Sequence, residues 1–179
     1  MKRIFFISVF SLATVFMISC DKDEDDNNNN NNNNTPSATD NNFMTQAAYG
    51  NFNEILLGQL ALTKSGNDSV KMFAQMMINE HTAANASLDS LAGRYSYSLP
   101  TAADSVHLAF KDSLNTYTGH TFDTAYINNQ IRDHQTTIDL FQNEITNGNA
   151  DSVQNFATGL LPTIQAHKAL ADSIATNLQ

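Results

Sequence analysis

Three observations predict an all-α fold: apolar residues recur every three or four positions from Phe43 onward, β-type alternation is absent, and one connection is far longer than the others. Together they describe a four-helix bundle of two long helical hairpins, with a short extra helix in the crossover. The first helix, 43–64, carries Phe43, Ala47, Gly50, Glu54, Leu57 and Ala61 on one stripe, and Ser65-Gly66-Asn67 stops it. The second, 68–95, carries Val70, Phe73, Met77, His81, Ala84, Leu88, Leu91 and Tyr95. Leu99-Pro100 then breaks the chain. Thr101 with Asp104 reads as a capping box for the short helix, 102–117, which Gly119 closes. The fourth, 122–147, carries Ile127, Ile131, His134, Ile138, Phe141 and Ile145, and ends at Asn147-Gly148-Asn149. The fifth, 151–178, carries Val153, Phe156, Leu160, Ile164, His167, Ala171, Ile174 and Leu178. Pro162 inside it removes an N–H and is expected to kink the helix just before His167. A crossover of about 26 residues can run the length of the bundle, which is the ferritin-like plan; an up-down bundle with a lateral fifth helix is the alternative.

Each of the four long stripes is interrupted once by a residue able to bind metal: Glu54, His81, His134 and His167. At 1.5 Å per residue all four lie near the middle of a bundle about 42 Å long, so their side chains can meet. Three imidazoles and a carboxylate in an apolar core suit one transition metal ion, Zn, Fe, Mn or Cu. Glu80 and Asp133 each precede a core histidine and point about 100° away, as partners for the ligands or as extra ligands; Tyr126, near the core face, is a further hydrogen-bond candidate. The competing reading is a purely structural layer in which Glu and His satisfy each other. No Glu is followed by His three residues later, which disfavours a ferritin-type di-iron centre and its oxidase chemistry. His107 and His120 fall on the short helix and a loop, where exposure is expected. Of Met72, Met76 and Met77 only the last shares the His81 stripe, so they form no copper ladder.

The front of the chain has a different character. Lys2-Arg3, an apolar run 4–18 and Ser19-Cys20 form an export signal, too short for a membrane span of roughly 20 residues. Met17-Ile18-Ser19-Cys20 resembles the lipobox of bacterial lipoproteins, which makes 1–19 a lipoprotein signal peptide and Cys20 the lipidated mature terminus; an ordinary cleaved signal is the alternative. Asp21-Lys22-Asp23-Glu24-Asp25-Asp26 resembles the address that sends some lipoproteins to the outer face of the outer membrane, though an acidic spacer reads the same way. Eight consecutive Asn, 27–34, continue a tether that makes 20–42 a lipidated and disordered segment ahead of the bundle domain, 43–179. A surface-exposed outer-membrane lipoprotein, held by its lipid, is the resulting expectation.

Nine Lys plus Arg against eighteen Asp plus Glu give a formal charge of −9 and no cationic cluster for phosphates, so nucleic acid is not an expected partner. One Cys excludes an intrachain disulfide and a Cys-based zinc site. Asp followed by Ser or Thr and an apolar residue recurs at 68, 89, 104, 112, 123, 151 and 172; capping explains 68, 104, 123 and 151, and the tripeptide also resembles a bacterial O-glycosylation acceptor.

Phe73-Ala74-Gln75-Met76-Met77 with Glu80-His81, Leu99-Pro100, Gly119 with Phe122-Asp123 and Tyr126, Asp133-His134-Gln135, and Leu161-Pro162-Thr163 with His167 together resemble the domain of unknown function 4142, a family of exported bacterial proteins. The resemblance covers 43–179 and implies a ferritin-like bundle and export, but no activity. Glu80-His81 stands where that family usually has Asp-His. The functional expectation is a membrane-anchored lipoprotein whose bundle binds a transition metal for sequestration or handling. The alternative is a non-enzymatic envelope module that binds an unknown protein or glycan partner. No nucleophile motif and no phosphate-cradling glycine loop supports a hydrolase or oxidoreductase.

Overall fold

The structure is a computed structural model that describes residues 35–178. The expected signal peptide, Cys20, the acidic run and the whole Asn tract, 27–34, lie outside the described residues. Five helices follow in order: α1 (Ala38–Lys64), α2 (Asp68–Arg94), α3 (Ser105–Leu114), α4 (Gly119–Asn147) and α5 (Asp151–Asn177), with no strand among the described residues. None of these helices is long and apolar enough to cross a membrane.

Short turns make α1/α2 and α4/α5 antiparallel hairpins. At the first turn the Asn67 side chain accepts hydrogen bonds from the N–H groups of Ser69 and Val70, capping α2. The crossover then travels the length of α1. Its start is tied to the beginning of α1, where the hydroxyls of Thr45 and Tyr97 are 2.8 Å apart; its far part is tied to the end of α1, where Lys64 Nζ donates to the Asn115 carbonyl at 2.6 Å. Hence α2 and α4 run parallel, and the bundle has the ferritin-like connection rather than the up-down one.

Three boundaries depart from the sequence reading. α1 begins at Ala38, not 43, because Ser37 and Asp40 form a capping box in which the Ser37 hydroxyl accepts from the N–H groups of Thr39 and Asp40. Part of the expected tether is therefore helix. The α3 helix is shorter than 102–117, since Asp104 itself is the N-cap and accepts from the His107 N–H at 2.9 Å. Gly119 opens α4 instead of closing α3; its φ of +56° is a left-handed reversal that glycine adopts without a Cβ clash. Pro162 sits inside an unbroken α5, on its exposed side.

The core is two apolar clusters with a polar layer between them. One cluster gathers Phe43, Ala48, Leu88, Leu91, Phe141 and Val153 at the end where α1 starts; the other gathers Leu57, Phe73, Met77, Phe122, Ile127 and Ile174 at the opposite end. Phe43 and Phe141 meet edge to face at 4.8 Å between centroids. Hairpin α1/α2 closes over Gly58, where a Cβ would stand 2.9 Å from the Ala74 carbonyl oxygen and 2.9 Å from Ile78 Cγ1.

Asp40 fastens the bundle end. Fully buried, it accepts from the N–H of Ala150 at 2.9 Å and of Asn149 at 3.1 Å, so it caps the start of α5 as well as α1. Ala150 has no capping side chain of its own. Burial works to raise the Asp40 pKa, but the bonds from Ser37, Ala150 and Asn149 outweigh it and hold the carboxyl at about 2. A pKa below its unfolded value stabilises above about pH 4, and that contribution is lost as pH falls toward 2. Asp40→Ala is accordingly expected to cost on the order of 2 kcal/mol at pH 7 and to flatten the acid limb of stability below pH 4, measured by urea titration. Gly58→Ala is expected to cost about 1–3 kcal/mol at any pH in the same titration, because helix packing and not charge is disturbed.

Candidate metal centre

α2, α4 and α5 each place one imidazole in the polar layer. His81, His134 and His167 are buried, and one ring nitrogen from each lies within 4.8 Å of the other two. Ring centroids stand 5.9 Å apart for His81 and His134, 5.6 Å for His81 and His167, and 5.4 Å for His134 and His167.

The outer nitrogens decide the protonation pattern. His134 Nδ1 faces the Gln130 carbonyl oxygen at 2.9 Å, a group that can only accept, so this nitrogen carries the hydrogen. His167 Nε2 faces the Glu80 carboxylate at 2.9 Å and donates likewise. His81 Nδ1 donates to Asn51 Oδ1 at 2.9 Å. When all three rings are neutral, the remaining nitrogens, His81 Nε2, His134 Nε2 and His167 Nδ1, carry lone pairs. Two of them face each other at 3.4 Å, and His81 Nε2 is buried with no hydrogen-bond partner. Lone pairs converging without a proton between them repel, and the three nitrogens could hold a metal ion. Tetrahedral ligation at a zinc–nitrogen distance of about 2.0–2.1 Å sets nitrogens about 3.4 Å apart, the spacing His134 and His167 already have.

Electrostatics keep these rings ready. Burial, and then the charges His134 and His167 would carry, push the His81 pKa well below its ordinary value. Burial and the His167 charge push His134 down to about 4, partly offset by the Gln130 carbonyl. Both are neutral at pH 7, so a metal has no proton to displace from them.

Of the residues singled out in the sequence, the structure brings together three histidines and leaves the fourth expected ligand outside. Glu54 Oε1 is 3.9 Å from His134 Nδ1, the nitrogen on the far side of the ring from the other imidazoles. Glu54 therefore stands behind the triad, buried, with Oε2 unpartnered and its pKa raised to about 8 by burial and by the nearby Asp133 charge. Glu80 accepts from the Nε2 of His167, one of the three clustered imidazoles, at 2.9 Å. Asp133 does not touch a histidine; it accepts from Asn129 Nδ2 at 2.7 Å and Asn53 Nδ2 at 3.1 Å, and burial raises its pKa. Tyr126 is fully buried against Phe73 and Phe122, its hydroxyl unpartnered and its pKa raised by burial and the Glu54 charge. His107 pairs with Asp104 at 2.9 Å on α3, and His120 is exposed. Asn51 was missed: it sits four residues after Ala47 and three before Glu54, the inner stripe of α1, which was the available signal. Gln130 acts through its backbone, which leaves no trace in residue type.

A cavity of about 280 Å³ opens between α2 and α5 and reaches this layer; His81, His167, Asn51 and Glu80 line it together with Phe141, Phe156, Leu160 and Ile164.

Fold and site together define a ferritin-like helical bundle with a histidine cluster between two apolar cores. The chain belongs to the family described as domain of unknown function (DUF4142), whose profile matches residues 26–174. Among solved structures it is similar to the crystal structure of a DUF305 fragment from Deinococcus radiodurans, with a TM-score of 0.71 and 12% identity over 80% of this chain and 99% of that one. That likeness concerns the fold. No curated protein matches the chain significantly.

The buried titratable groups of the layer and of the bundle end together fix a pH profile for the metal-free protein. Depressed histidine pKa values favour the unfolded chain as pH falls from about 6.5 toward 4, whereas Glu54 and Glu144, each raised from 4.5 to about 8 with burial as the leading cause, favour it as pH rises from 4.5 to 8. Stability is expected to peak between about pH 5 and 6.5 and to decline toward pH 8 in thermal melts. Glu54→Gln should recover on the order of 4 kcal/mol at pH 8, and a decline unchanged in that variant would exclude Glu54 as its source.

Proposed function

We propose that this protein is a membrane-anchored lipoprotein whose bundle binds one transition metal ion, with His81 Nε2, His134 Nε2 and His167 Nδ1 as ligands, and that it sequesters or handles that metal at the cell envelope. The observation that carries this reading is the convergence of three imidazole nitrogens whose opposite nitrogens each face an acceptor, Asn51, Gln130 or Glu80. Such anchoring fixes the tautomer and the ring orientation that a metal requires. Imidazole ligands suit Zn, Cu and Fe, and three of them leave a coordination position open. Glu54 contributes from behind His134 as a nearby carboxylate and not as a ligand. Attachment rests on the sequence, through a lipid on Cys20, and places the bundle at the end of an acidic, Asn-rich tether.

Protein purified without a polyhistidine tag is expected to take up one equivalent of metal and to gain about 2.7 kcal/mol of stability when free metal exceeds the dissociation constant about a hundredfold. Absence of uptake and of any thermal shift with Zn, Mn, Fe and Cu would sink the reading in favour of a structural layer. Asn51→Leu should weaken metal binding about 10–100-fold, because it frees the His81 ring to turn. Cys20→Ser should move the protein from the membrane fraction to the soluble fraction of its host; retention on the membrane would exclude lipid attachment.

A further inference from the structure

The cavity beside the histidines has the composition of a ligand site. Phe141, Phe156, Leu160 and Ile164 give it apolar walls, and His81 and His167 form part of the same lining, so the triad borders this space along two of its three rings. At about 30 Å³ per water-sized group, its 280 Å³ holds about nine non-hydrogen atoms. No Lys or Arg lines it, so an anion entering here must be met by something other than a side-chain cation.

An ion on three neutral imidazoles would be a buried positive charge without an anionic ligand. The nearest carboxylates are committed elsewhere: Glu54 lies behind His134, and Glu80 already accepts from His167 Nε2. Buried charge is costly unless compensated. From these features we infer that the cavity binds a small organic anion, whose carboxylate takes the open position on the metal and whose aliphatic or aromatic body fills the apolar cleft between α2 and α5. This rests on the three-histidine metal reading and adds to it the class of molecule the site receives. Hexanoate and benzoate, with eight and nine non-hydrogen atoms, are of the right size.

Cobalt(II) serves as both metal and reporter, since its visible bands report the ligand at the open position. With cobalt-loaded full-length protein, titration with acetate, butyrate, hexanoate and octanoate is expected to change the bands at concentrations that fall about fourfold per added methylene, the equivalent of about 0.8 kcal/mol each, and to level off beyond hexanoate. Gly50→Leu should erase the chain-length gain without loss of cobalt, because Gly50 lines the cavity, is no ligand, and has nothing within 4 Å of a Cβ position. Leu160→Ala should do the opposite and shift the levelling point toward octanoate. Affinity independent of chain length, or a gain that survives Gly50→Leu, overturns the cavity inference and leaves the metal reading standing. Protein that shows no bound cobalt bands at all overturns both.

Discussion

The constraint on which this structure turns is the directing of three imidazole lone pairs at one point inside a helical bundle. Each ring is held from behind by an acceptor on α1, α2 or α4: the Asn51 side chain, the Glu80 carboxylate or the Gln130 carbonyl. Removing an acceptor would let a ring turn and satisfy its inner nitrogen some other way. The arrangement thus needs all four long helices at once, although only α2, α4 and α5 carry the histidines. That requirement explains why the layer lies mid-bundle, where the four helices are held from both ends.

Holding it there is costly. Glu54 Oε2, His81 Nε2, the Tyr126 hydroxyl and both side-chain polar atoms of Gln130 are buried without hydrogen-bond partners. Unpaired buried polar groups cost about 1–3 kcal/mol each, and most proteins avoid them. Others lie away from the histidines, at Asn85, Asp123 and Glu144, and the two apolar clusters supply the burial that offsets them all. A layer kept solely for helix register would be cheaper if it were internally satisfied. His134 Nε2 and His167 Nδ1 lie 3.4 Å apart, and His81 Nε2 stays unpartnered beside them.

The bundle ends obey a similar economy of side chains. Asp40 caps its own helix and also the start of α5, so one carboxylate ties the first element of the domain to the last turn. Beside it, Glu144 is buried with both oxygens unpartnered, and the Asp40 charge adds to burial in raising its pKa to about 8. One carboxyl stays ionised and its neighbour stays neutral because backbone N–H groups reach only the first.

The helices, their stripes and the mid-bundle level of the histidines were legible from the 3.6-residue period, since that period depends on local geometry that apolar spacing reports directly. The ferritin-like connection was legible from one length, because short turns force antiparallel neighbours and a long crossover does not. The start of α1 at Ala38 was legible in principle as Ser37 and Asp40, yet the absence of apolar residues there concealed a carboxylate that is buried through hydrogen bonds. The position of Glu54 could not be read at all. Level along a helix follows from counting residues, whereas the side of an imidazole on which a carboxylate falls depends on helix rotation and on which ring nitrogen is already engaged. Asn51 as an anchor, the unpaired nitrogen of His81 and the cleft between α2 and α5 likewise exist only once four helices pack, because each is a relation between side chains on different elements.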